Sequence, residues 1–243
     1  MTAGIGKSAR VVTDRSAGRR PLTCYHEAGH AFARWFFGHY TDGAVVLTRD
    51  QVLRGDWPVD RKGRVQRDAE GAVQGYDMGP NPFVSPKIDK IAFNGEGEGD
   101  LVDQLKRQMR IGAEIDLVDC AIGWTAEARY RKASALSCGL EGGRADATRA
   151  LATAEWLYST EAEQSSARAL GERRARALVR SSKGWRAISA IANALIDHGI
   201  IDGDDIDTVC CEAYGIGEQL CWPAVYKAWP WPMNALKAGV LEA

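Results

Sequence analysis

The chain has 243 residues, 45% of them hydrophobic, and a formal net charge of −1. That length and apolar content allow one large domain or two small ones with a real core. The near-zero charge and the lack of a basic stripe argue against nucleic acid as a partner, and no run reaches the ~20 apolar residues of a membrane span. Residues 1–20 lack the apolar segment of a secretory signal, so the chain is expected in the cytoplasm. Its six cysteines (Cys24, Cys120, Cys138, Cys210, Cys211 and Cys221) form no C-x-x-C pair and no regular framework. All six are therefore expected to be reduced thiols.

Residues 1–19 are small, polar and basic, and read as a flexible N-terminal arm. They contain Gly4-Ile5-Gly6-Lys7-Ser8, which ends like a phosphate-binding loop. The first glycine of G-x-x-x-x-G-K-S would fall on Met1 and no strand precedes it, so nucleotide binding is not expected. A helix is predicted next, with Pro21 in its first turn and Gly38 as its stop. Leu22, Tyr25, Ala28, Gly29, Phe32, Trp35 and Phe36 recur along it at helical spacing.

This helix carries His26-Glu27-Ala28-Gly29-His30, the H-E-x-x-H signature of zinc hydrolases. Histidines four apart share one helix face, so both imidazoles can reach one tetrahedral Zn²⁺ and leave a position for water. Glu27, beside the first ligand, is placed to take a proton from that water. The chain has four histidines, and half of them stand in this pair. His39 and His198 read as helix-end residues without a role.

Residues 44–48 read as a short strand, 49–70 as a long loop or irregular hairpin, and 72–76 as a second strand. Residues 79–100 hold Pro80, Pro82, Pro86 and an acidic glycine tract, and read as loop with a short strand at 88–93. From about residue 101 the pattern turns helical. Residues 111–131 carry Ile115, Val118, Ile122 and Ala126 at helical spacing. A glycine-containing break covers 137–143. Helices then follow over about 145–158, 161–180 and 185–198, the last closed by Gly199, and a short one runs from Asp204 into Cys210. The arginines at 168, 173, 174, 176 and 180 read as a solvated helix face. The predicted fold class is mostly α with a small β-sheet.

Four segments resemble one family, the FtsH-type peptidase domain of the AAA proteases. Tyr25-His26-Glu27-Ala28-Gly29-His30-Ala31 closely resembles its Y-H-E-A-G-H-A core. Gly123-Trp124-Thr125-Ala126-Glu127-Ala128 resembles its G-R-A-A-E-E segment. Gly142-Gly143-Arg144-Ala145-Asp146-Ala147 resembles its G-A-S-N-D-L segment, in which the Asp is the third zinc ligand. Residues 185–205 are similar to the helix that closes that domain. The order agrees over roughly 20–210, with 49–100 as a loop-rich insertion. The family's ATPase module and membrane spans have no counterpart here. Nor does the Trp/Pro-rich C-terminal tail, 211–243.

The resemblance implies a stand-alone, zincin-like (α+β) domain: an ATP-independent zinc metallopeptidase acting on peptides or unfolded protein segments. It implies His26, His30 and Asp146 as zinc ligands, with Glu27 as the catalytic acid–base. For the third ligand Glu127 is the runner-up, although pairing with Arg131 one turn on explains it more simply. Asp116 and Asp119 read as charges on a solvated face. The strand of Ala72, Val73, Gln74, Gly75 and Tyr76 is similar to the family's G-x-L-G-Y stretch, a candidate edge for pairing with an extended substrate. The alternative is a non-catalytic zinc-binding adaptor or regulatory domain that keeps the fold. Retention of Glu27 speaks against it, because zinc binding alone does not need that carboxylate.

Overall fold

Helix α1 (Pro21–Phe36) begins with Pro21 in its first turn, where a missing N–H costs no hydrogen bond. Gly38 ends it in the left-handed region at φ 77°, and His39 N–H donates back to the Arg34 carbonyl at 2.8 Å. This is the glycine stop that the sequence predicts. The computed structural model describes residues 20–59, 65, 70–76, 100–141 and 143–215. The expected arm, the expected strand at 88–93 and the Trp/Pro-rich segment from 216 onward lie outside the described residues.

Helix α1 is the centre of the fold. Cys24, Ala28, Ala31, Phe32 and Ala33 are fully buried, and a helix apolar on most of its faces must be covered on most of them. A three-stranded antiparallel sheet lies on one side: β1 (Tyr40–Val46), β2 (Gly71–Tyr76) and β3 (Ile200–Asp202), in the order β2-β1-β3. β1 pairs with β2 from Tyr40↔Tyr76 to Val46↔Gly71, with a bulge at Thr41/Gly43. It also pairs with β3 from Gly43↔Asp202 to Val45↔Ile200.

β1 differs from the strand expected at 44–48. It starts at Tyr40, and Thr48 turns away to cap a short helix, α2 (Arg49–Leu53). Thr48 and Gln51 form a reciprocal capping box there, a T-x-x-Q signal that outweighs the loop-like composition. β3 was not expected. Three residues are too few to show an alternating pattern.

The other helices are α3 (Asp100–Arg131), α4 (Ala135–Glu141), α5 (Arg144–Leu157), α6 (Glu161–Arg180), α7 (Ser182–His198) and α8 (Gly203–Tyr214). α5, α6 and α7 match the predicted helices closely. Gly199 closes α7 at φ 77° as expected. α4 occupies most of the expected break, and α8 runs four residues past the expected end at Cys210. Tyr214 anchors that extra turn by packing on Phe32, Trp35 and Phe36 of α1. The Trp35 indole donates to Asp207 at 2.8 Å and fastens α8 to α1.

The main core joins α1, α3, α6 and α7 through Phe32, Ile122, Leu178, Ile188, Ile191 and Leu195, all fully buried. Arg168, Arg173 and Arg180 lie on the exposed face of α6 as predicted. Arg174 instead turns inward and pairs with Glu114 of α3 at 2.9 Å. Cys24, Cys120, Cys138 and Cys210 are buried and outside any disulfide. Cys211 is in a disulfide, so the expectation of six reduced cysteines fails at that position. Disulfide formation depends on Cα separation in space, which sequence spacing does not report. No described helix is long and apolar enough to cross a membrane.

Leu195→Ala tests this core. The side chain is fully buried, so its truncation should cost about 2–5 kcal/mol. Urea unfolding followed by circular dichroism measures the loss, and a change below ~1 kcal/mol would contradict the packing described.

Candidate metal centre

Two glycines on facing helices make room for the site. A Cβ on Gly29 of α1 would stand 2.9 Å from the Ile122 carbonyl oxygen and 3.2 Å from Ala126 Cβ. The α1 and α3 backbones therefore approach closely at that point. A Cβ on Gly123 of α3 would stand 2.5 Å from His30 Nε2 and 2.7 Å from His26 Nε2. The space in front of both imidazole nitrogens is the space that Gly123 leaves.

Asp146 enters from the first turn of α5. Gly143 precedes that helix and lies flat under the Trp124 ring; a Cβ there would be 2.6 Å from Trp124 Cε3. The turn is thereby pressed against α3. Asp146 Oδ2 reaches to 3.1 Å from His26 Nε2 and 3.3 Å from His30 Nε2, and the two imidazole nitrogens are 3.2 Å apart. These three side chains form a cluster able to hold a metal ion. Asp146 converges on the histidine pair. Glu127 does not occupy the third corner.

The far side of each imidazole is also occupied. His30 Nδ1 is 3.3 Å from Asp119 Oδ1. His26 Nδ1 is 3.8 Å from Glu127 Oε2, an ionic contact rather than a hydrogen bond. A carboxylate behind Nδ1 fixes the ring and leaves Nε2 facing Asp146 and the other imidazole. Each of these carboxylates has its other oxygen held by an arginine: Arg149 Nη2 on Asp119 at 2.6 Å, and Arg131 Nη1 on Glu127 at 3.2 Å. Glu127 thus makes the expected contact with Arg131 and faces His26 as well.

Asp119 corrects the expectation of a solvated charge, since its side chain is only 14% exposed. A signal for it was present. Asp119, Gly123 and Glu127 are spaced four apart on α3 and so share one helix face. Asp116, one turn earlier, accepts a hydrogen bond from Thr153 Oγ1 at 2.6 Å and joins α3 to α5.

Electrostatics follow from this enclosure. Burial opposes ionisation of Asp146, but His30 and His26 outweigh it and hold the carboxyl well below the usual range. Asp119 is held low in the same way, chiefly by His30 and then by Arg149. Burial works against charge on His26, yet the hydrogen bond with Asp146 and the nearby Glu127 carboxylate raise its pKa to about 9. His30 is likewise raised, by Asp146 and Asp119 against burial. The carboxylates thus favour positive charge at this point, whether protons or a metal supply it.

Glu27 sits one position along α1, with its carboxyl over Gly71 at the start of β2. A Cβ on Gly71 would stand 2.6 Å from Glu27 Cγ and 3.1 Å from Oε1. The residue before Gly71 holds the strand in place. Glu70 accepts from Thr23 Oγ1 at 3.1 Å and pairs with Arg20 at 2.7 Å, both at the start of α1. Burial raises the pKa of Glu27, and the two histidines only partly offset this. Ala72, Val73 and Gln74 follow along the same strand, and Gln74 Nε2 donates to the Val59 carbonyl at 2.8 Å.

No protein-family model matches the chain, and no curated protein matches it either.

Gly123→Ala should remove the metal position while favouring the helix, because Ala exceeds Gly in helix propensity by about 1 kcal/mol. Binding of a divalent ion, read by competition with a metallochromic chelator, should fall at least ~10-fold while the far-ultraviolet circular dichroism stays helical. Asp146→Asn should also weaken binding strongly. Wild-type affinity in either variant would show that the ion, if bound, sits elsewhere.

Proposed function

We propose that this chain is a zinc metallopeptidase with a zincin-like active site, acting without ATP on peptides or unfolded protein segments. The observation that carries the reading is the triangle of donor atoms, with edges of 3.1, 3.2 and 3.3 Å, beside the half-buried Glu27. A tetrahedron with zinc–ligand arms of ~2.0–2.1 Å has edges of about 3.3–3.4 Å. The triangle therefore has the size of one tetrahedral face. Two imidazoles and one carboxylate are also a donor set that zinc hydrolases use.

In this reading His26 Nε2, His30 Nε2 and the Asp146 carboxylate hold the ion. When bound there, zinc supplies Lewis acidity, which lowers the pKa of water to about 7 and polarises a carbonyl. The chain's own groups do the rest. Asp119 and Glu127 keep the two rings oriented from behind. Glu27 takes the proton of the attacking water on its carboxylate and passes it to the departing amide nitrogen. Its raised pKa suits both halves of that task, since burial makes the carboxylate a stronger base and, once loaded, it is the acid that returns the proton.

Substrate alignment falls to β2. Among the described residues β2 pairs with β1 alone and stands at an edge of the sheet. Its first residue touches Glu27. An extended peptide laid against that edge would bring its main chain alongside the acid–base, with backbone hydrogen bonds supplying affinity largely independent of sequence. That suits unfolded segments, which expose main chain, and excludes folded ones.

Glu27→Gln separates chemistry from binding. It removes the proton acceptor and leaves the donor triangle intact, so zinc stoichiometry and thermal stability should be retained. Hydrolysis of casein by zinc-loaded protein should fall by at least about 10²-fold. A Glu27→Gln variant as active as wild type would overturn the mechanism. A zinc-loaded wild type inert on casein and on broad peptide libraries would instead favour the adaptor.

A further inference from the structure

Arg149 lies outside the donor triangle and touches none of its three atoms, yet its contacts lead to two of them. Its Nη2 is 2.6 Å from Asp119 Oδ2, and the other oxygen of Asp119 is 3.3 Å from His30 Nδ1. Its Nε faces Asp116 Oδ1 at 3.3 Å and donates to Cys120 Sγ at 2.9 Å. All three partners belong to α3. Arg149 itself belongs to α5, three residues after Asp146, so the two share a face of that helix. Thr153, one turn further, bonds Asp116 from the same face at 2.6 Å.

We propose that Arg149 is a positioning residue for the metal centre, acting on His30 through Asp119 and on Asp146 by pinning the start of α5 to α3. This rests on the reading that His26, His30 and Asp146 hold a metal. The geometry uses properties that only arginine has. A guanidinium presents Nε and Nη2 in a fixed planar fork, and here the fork spans Asp116 and Asp119, one turn apart on α3. A lysine carries the same charge at a single point and cannot hold both. With Arg149 in place, Asp119 has one oxygen committed and one rotamer favoured, so its free oxygen stays behind His30. Without it, Asp119 is free to turn away, His30 loses its backing, and the first turn of α5 loses the contact that sets the height of Asp146.

The test measures metal affinity and ligand geometry on the purified full-length chain, with Zn²⁺ in chelator competition and Co²⁺ as a spectroscopic probe. Arg149→Ala should weaken Zn²⁺ binding 10–100-fold and shift the visible absorption bands of bound Co²⁺. Arg149→Lys should fall between it and wild type. Asp119→Asn should weaken binding too, and its loss should overlap with that of Arg149→Ala in the double variant, because both act on His30. Arg174→Ala is the control. It breaks an ion pair of 2.9 Å between α6 and α3 in which neither partner belongs to the donor triangle or to the carboxylates behind it, and should lower the melting temperature without changing affinity or the cobalt spectrum. If Arg149→Ala does not fold, Arg149→Lys and Asp119→Asn carry the comparison. Wild-type affinity with an unchanged cobalt spectrum in the Arg149 variants overturns the proposal, as does an equal loss in Arg174→Ala. If wild type and His30→Ala bind Zn²⁺ equally, the metal reading itself fails and takes this inference with it.

Discussion

The close approach of α1 and α3 is the constraint on which the rest of the molecule depends. Helix interiors favour alanine over glycine by about 0.5–1 kcal/mol, yet glycines stand at two close approaches between these helices. At Gly29 the missing side chain lets the backbones approach. At Gly123 it keeps open the volume in front of the imidazoles. The local loss of stability is small beside the burial around it. Phe32, Ile122, Ile188, Ile191 and Leu195 are all fully buried, and each such side chain contributes about 1.5–3 kcal/mol.

Around that opening the charges are arranged in layers. Imidazoles face the centre, carboxylates stand behind them, and arginines hold the carboxylates. Taking so many ionisable groups out of water is costly, and each is tolerable only when its neighbours satisfy it. The apolar setting enforces the arrangement. Tyr25, next to His26, stacks with Tyr130 at 4.2 Å and with Trp185 at 5.3 Å. Arg129 caps the Trp185 ring at 4.3 Å and donates to the Val179 carbonyl. The helix carrying the histidines is therefore clamped by aromatic packing on its other side, and the imidazoles have little freedom to turn away.

Much of this was legible before any coordinates, and the reasons differ by element. The α1 residues follow from local rules: a proline start, a glycine stop and a helical repeat, with His26 and His30 on one face. The long helices α5, α6 and α7 were legible for the same reason. Asp146 was not locally legible. An acid in the first turn of a helix is ordinary, and only the family resemblance singled it out. Asp119 is indistinguishable by itself from a solvated charge, and only its shared helix face with Gly123 and Glu127 marks it. β3 was missed because three residues of strand acquire meaning only from the partner beside them. α2 is signalled only by the Thr48–Gln51 cap, which the loop-like composition around it obscures.

The contact between His26 and Asp146 spans 120 positions of the chain. An ion shared by these residues would act as a removable cross-link, closing a long loop that includes the whole of 49–100. Clips of that kind restrict the unfolded chain more the longer the loop they close, but only logarithmically; doubling the loop adds about 0.6 kcal/mol. The stretch between β1 and α3 can therefore grow or shrink at little thermodynamic cost, provided Gly71 still reaches Glu27. The geometry of the centre and the length of that stretch are separable variables, and the molecule is free to change one while keeping the other.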